Sequence, residues 1–153
     1  MEINNDKAIS TLNNLIETCR DGQTGFQSAA EGVDRNDLKR LLEQYSSQRG
    51  QFVAELQGLV LDLGEDPQET GSVAAALHRG WINIKSVVTG KNEHSILAEC
   101  ERGEDSAKKN YEEALQESLG LEISGVLRRQ YKVIKDTHDH IRNLRDKADA
   151  ANV

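Results

Sequence analysis

LIETCRDGQTGF at 15–26 and ILAECERGEDSAKKNY at 96–111 carry the pattern from which the fold follows. In both, apolar residues recur at steps of three and four, the spacing of one face of an α-helix. The first stripe runs through Ala8, Ile9, Leu12, Leu15, Ile16 and Cys19 and resumes at Phe26, Ala29, Ala30 and Val33. The second runs through Ile96, Leu97 and Cys100 and resumes at Ala107, Tyr111, Ala114 and Leu115. Each stripe is broken once, four residues after a cysteine, at Gln23 and at Glu104. The surrounding words match, CRDGQ at 19–23 and CERGE at 100–104. Two helices with the same interruption predict a duplicated bundle with a polar layer at its centre, where bundles place metals, cofactors and specificity groups.

Three more stripes flank these two. Asp34 and Asn36 offer N-caps for a helix carrying Leu38, Leu41, Leu42, Tyr45, Phe52, Leu56, Leu59, Val60 and Leu63, which Gly64 and Pro67 end. Ser72 offers a cap for a shorter helix with Val73, Leu77, Trp81, Ile84 and Val88 on one face. Ser124 is read as the start of the last helix, with Val126, Leu127, Tyr131, Ile134, Ile141 and Leu144 inward. The predicted helices are 6–32, 36–63, 72–89, 92–119 and 124–149, within one domain over 1–153. Short connections make each long pair an antiparallel hairpin. The interval of residues 64–91 is too long for a turn and carries the short helix. The expected fold class is therefore all-α: a four-helix bundle of two antiparallel hairpins joined by a long crossover with its own short helix.

Composition agrees. One proline in 153 residues, 4% aromatic and 29% charged residues suit helices better than sheets. The net charge of −7 argues against a nucleic-acid or membrane-surface partner. No apolar run approaches the ~20 residues of a membrane span, and MEINNDKAIS lacks an apolar signal core. A cytoplasmic protein is the expectation. Cys19 and Cys100 both lie on core stripes and are expected reduced and unpaired, one turn to either side of the polar layer.

LIETCRDGQTGF, SVAAALHRGWINIK at 72–85 and ILAECERGEDSAKKNY resemble a bacterial ferritin-like four-helix-bundle family marked by CRDG…GF, ALHRGW and CERGED. The resemblance covers about Leu12 to Leu144. It implies the ferritin-like fold, and it brings no activity with it.

Each long stripe has a polar candidate at the central depth: Gln23, then Gln48 or Arg49, then Glu104, then His138, which lies four after Ile134 and three before Ile141. Ferritin-like di-iron proteins use single glutamates on two helices and Glu-x-x-His on the other two. Glu104 fits a single-carboxylate position, but Gln23 stands where its partner would be, and Glu-x-x-His occurs nowhere in the chain. Too few carboxylates remain to hold two hard cations. The reading that follows is a structural layer in which Glu104 pairs with Arg49 while Gln23 and His138 complete the hydrogen bonds. The alternative is a reduced, unconventional site for iron or manganese made by Glu104, His138 and a neighbour, Glu55 or Asp136.

The other histidines are weaker candidates. His138 and His140 are two apart and point to different helix faces, and His94 sits at a helix start. In HRGW, His78, Arg79 and Trp81 suit either a lid over the core or a subunit contact, because Trp and Arg concentrate at interfaces. No phosphate loop, nucleophile elbow or paired-cysteine knuckle appears. The functional expectation is a non-catalytic bundle serving interaction or assembly, without a cofactor, and a homo-oligomer through the crossover helix. The alternative is a metal-binding oxidase or storage protein.

Overall fold

The computed structural model describes residues 5–66 and 80–151. Four long helices form a bundle: α1 (Asn5–Gly32), α2 (Asn36–Asp62), α4 (Glu93–Leu115) and α5 (Leu121–Ala151), with the short α3 (Ile84–Gly90) between the pairs. No strand occurs among the described residues. The first part of the expected 72–89 helix, with Ser72, Val73, Leu77, His78 and Arg79, lies outside them. Pro67 does too.

Cross-chain bonds give the packing. Ser46 Oγ donates to the Gln23 carbonyl, tying α2 to α1. Asn110 bonds Thr18 at 3.0 Å, tying α4 to α1. Tyr111 and Tyr131 bond residues of the facing α5 and α4, while Glu55 and Tyr45 of α2 reach Gln130 and His140 of α5. Lys7 meets Glu117 where Thr18 meets Asn110, Glu101 meets Arg145 where Tyr111 meets Gln130, and Tyr45 meets His140 where Glu55 meets Gln130, so these neighbours are antiparallel. Helices α1 and α5 thus lie diagonally opposite, as do α2 and α4.

The helix ends follow the chemistry of their residues. Asn92 caps α4, accepting from the Ser95 N–H at 2.9 Å. Gly64 after α2 and Gly120 before α5 take φ of 89° and 88°, a region open to glycine. The short α3 starts only at Ile84, and residues 80–83 form a bend and turn rather than part of the helix expected over 72–89, because Trp81 turns into the core there. Three further boundaries differ from the pattern-based ones. The α2 N-cap is Arg35, which makes no side-chain capping bond, so neither Asp34 nor Asn36 fills that role. Helix α4 ends at Leu115 rather than 119, and α5 begins at Leu121, before Ser124. Ser124 N–H already bonds the Gly120 carbonyl at 3.0 Å, which places Ser124 in the first turn.

The apolar core divides in two. One cluster holds Leu12, Leu15, Cys19, Phe52, Leu56, Ala107, Tyr111, Leu127 and Ile134. The other holds Phe26, Ala30, Leu38, Leu42, Trp81, Ile96, Cys100 and Ile141. On α1, α4 and α5 the break falls between residues seven apart: Cys19 and Phe26, Cys100 and Ala107, Ile134 and Ile141. A single layer of different chemistry therefore crosses the bundle at mid-height. The two cysteines sit on opposite sides of it, buried and unpaired.

Candidate functional site

Arg49 and Glu104 occupy the centre of that layer, both with fully buried side chains. Arg49 Nη1 donates to Oε1 and Nη2 to Oε2, each at 2.5 Å. The pair spans the α2–α4 diagonal, as far from solvent as the bundle allows, and its parallel geometry is the strong form of a guanidinium–carboxylate contact. Burial pulls the Arg49 guanidinium toward its neutral form, and the adjacent Glu104 charge reverses this, leaving its pKa raised. The guanidinium carbon lies 5.5 Å from the Phe26 ring centroid. Arg49 Nε has no acceptor.

A glycine makes room for the arginine. A Cβ on Gly22 would lie 3.2 Å from Arg49 Nη1 and 3.3 Å from its Cγ, so the bare backbone of α1 is the wall along which Arg49 extends. The stripe interruption in CRDGQ is therefore Gly22, and Gln23 is exposed. This corrects the reading of Gln23 as a layer residue. The reason is the crossover: with Trp81 against Gly25 and Val88 against Gly32, α1 turns its Gly22–Gly25–Gly32 side inward and Gln23 outward. Gln23 instead sits at the rim of the α1–α2 seam, its side-chain nitrogen beside Gly50. Of Gln48 and Arg49, the arginine faces in. Gln48 is half-buried with Oε1 unpartnered.

The second word, CERGE, builds something else. Trp81 is 2% exposed and its indole lies across Gly25 of α1 and Gly103 of α4. A Cβ would come within 2.2 Å of the ring at Gly25 and 2.1 Å at Gly103, so both helices must present backbone there. Phe26 meets the indole edge-on at 5.0 Å. Of the two readings of Trp81, the geometry matches the lid: the ring closes the chain's own core. Next to it, the Asn83 N–H donates to buried Glu99 at 2.6 Å and fastens the crossover to α4.

Glu104, His138 and Glu55 are not brought together. Glu55 is half-buried and bonds Arg129 and, at 3.2 Å, Gln130. His138 is buried, as its stripe position demands, but it faces the α4 surface beside Glu104. Its Nε2 lies 2.8 Å from Asp105 and 4.0 Å from Glu101, and its Nδ1 lies 3.1 Å from Asp139. Neither His138 nor Gln23 completes the Arg49–Glu104 pair. Asp136 and His140 are exposed, and His94 is half-buried.

One buried network escaped the sequence reading. The Cys19 thiol lies 3.1 Å from the Tyr111 oxygen, Tyr111 donates to Gln130 at 2.7 Å, and Gln130 donates to Glu55. With the tyrosine proton on Gln130, the thiol is the donor to Tyr111. One residue from each long helix takes part, and the chain of bonds runs from the core to the surface. Burial pushes the Cys19 thiol up to about 11 and the Tyr111 phenol well above its ordinary range. Gln130 lies on the apolar stripe between Leu127 and Ile134, which was the available signal.

A family model described as a domain of unknown function, DUF2383, matches residues 7–117. The chain belongs to this family. The DUF2383 match takes in both glycine-bearing words, Arg49, Glu104 and Trp81, and ends two residues after α4. His138 and Gln130 lie beyond it. No curated protein matches the chain.

Proposed function

We propose that this DUF2383 chain is a ferritin-like bundle that works as an interaction or assembly module, with a structural ion pair where di-iron relatives hold metal. The fully buried Arg49–Glu104 pair is the observation that carries this reading. Glu104 is the best-placed carboxylate of the layer, and both its oxygens are taken by a guanidinium. A cation there would face a permanent positive charge at contact distance. The two-hairpin connectivity with a long crossover supports the ferritin-like assignment. None of the described helices is long and apolar enough to cross a membrane.

The assembly part rests on the crossover. Trp81 is occupied inside the core, but Ile82 beside it is 56% exposed, and Val87 and Val88 are only half-buried. A second copy of the chain is the proposed cover. Light scattering should return a multiple of the 17.0 kDa protomer mass, and Ile82→Asp should lower it. A monomeric wild type overturns the assembly reading. Two irons per chain with ferrous-oxidation turnover overturn the non-catalytic one.

A further inference from the structure

We propose that Glu101, Asp105 and His138 form a mononuclear site for a first-row divalent cation, of the zinc or manganese class, on the α4–α5 seam. The site is separate from the central layer. Glu101 and Asp105 are four residues apart on α4 and so share a face, while Glu104 points to the bundle axis and Arg49. His138 comes from the antiparallel α5.

The distances fit one ion. With ligands about 2.1 Å from a metal, adjacent octahedral donors lie ~3.0 Å apart and opposite ones ~4.2 Å. His138 Nε2 is 2.8 Å from Asp105 Oδ1 and 4.0 Å from Glu101 Oε2, and one ligand atom from each of the three residues lies within 4.8 Å of the others. One imidazole and two carboxylates make a donor set of intermediate hardness, suited to zinc or manganese.

The second observation is the histidine itself. His138 is 5% exposed, and both its ring nitrogens face carboxylates. Its Nδ1 is 3.1 Å from Asp139, the outer-shell arrangement that fixes the tautomer of metal-bound histidines. A neutral ring has one N–H. With that proton directed to Asp139, the Nε2 lone pair faces the carboxylates of Asp105 and Glu101, an arrangement that a cation held among the three satisfies. Arg145 holds Glu101 Oε1, which leaves Oε2 for the ion and sets the nearest competing positive charge. The Asp105 side chain is 58% exposed, so an ion has a way in and water has room to complete its coordination.

The test uses the full chain, purified and stripped of metal, titrated with Zn²⁺, and with Co²⁺ as a spectroscopic probe. One equivalent of Zn²⁺ should bind and raise the melting temperature, and Co²⁺ should give visible ligand-field bands. Asp105→Asn, at an exposed position where the fold is not at risk, should weaken binding by about tenfold or more. Glu101→Gln should do the same. A wild type that binds neither ion overturns the proposal, as does unchanged affinity in both variants. Loss of this single ion leaves the central-layer reading untouched, since that reading is judged by two irons per chain and by turnover.

Discussion

Among single residues, the central pair and the glycines around it make the sharpest claims. Removing one member of a buried ion pair strands the other charge, whereas removing both leaves an apolar core. Arg49→Met should therefore destabilise the fold by about 3–5 kcal/mol, and adding Glu104→Leu should restore much of it, read from urea unfolding. A single variant within about 1 kcal/mol of wild type would show that the pair is not isolated from water. The glycines divide by what surrounds them. Gly103→Ala places a methyl group 2.1 Å from the indole, so Trp81 must shift at a cost of about 1–3 kcal/mol. The only tryptophan in the chain reports it by red-shifted emission. A Cβ on Gly58 would meet nothing within 4 Å, so Gly58→Ala should stabilise α2 by up to about 1 kcal/mol. Equal effects at the two positions would refute the close seat of Trp81 on Gly103. The two glycine-bearing words look alike in sequence, yet one receives an arginine and the other a tryptophan. Which side chain arrives is set by segments far away in the chain.

At the level of elements, periodicity located all four long helices, because a 3.6-residue repeat sustained over 23 to 31 residues has no other reading. Their ends were less legible. Side-chain capping is a local bond that either forms or does not, and several polar residues compete for it. Asn92 forms it; Asp34 and Asn36 do not. Asn92→Ala should accordingly cost about 1 kcal/mol in thermal unfolding, while Asp34→Ala should stay within about 0.5 kcal/mol. A larger loss from Asp34 than from Asn92 would reverse the assignment of the caps. The Gln23 error has the same origin. A stripe fixes the direction of a helix face to within one residue, and the crossover packed on α1 then turns that face by the remaining angle.

Across the molecule as a whole, the buried hydroxyl and thiol groups couple the fold to alkaline pH. Burial raises Cys19 from 9.0 to about 11, and raises Cys100 and Tyr111 well above their ordinary values. The folded chain keeps these protons where the unfolded chain releases them. The stability they contribute is therefore present below about pH 9 and is lost as pH rises toward the folded values. For Cys19 alone the loss is on the order of 2–3 kcal/mol between about pH 9 and 11. The melting temperature should fall steeply between about pH 8.5 and 10.5, and less steeply in Cys19→Ala. A flat profile would mean that the thiol is open to solvent.

The helices, the hairpin pairing, the depth of the polar layer and the choice of Arg49 as partner for Glu104 were all legible in the bare chain. They follow from period, loop length and charge, which are local or additive quantities. Three contacts were not legible there: Gly22 rather than Gln23 facing the layer, Trp81 lying on Gly25 and Gly103, and His138 meeting Asp105 and Glu101 rather than Glu104. Those contacts depend on helix rotation and register. Rotation and register are set by packing all the elements at once, and a shift of one residue moves a side chain by about 100° around its helix.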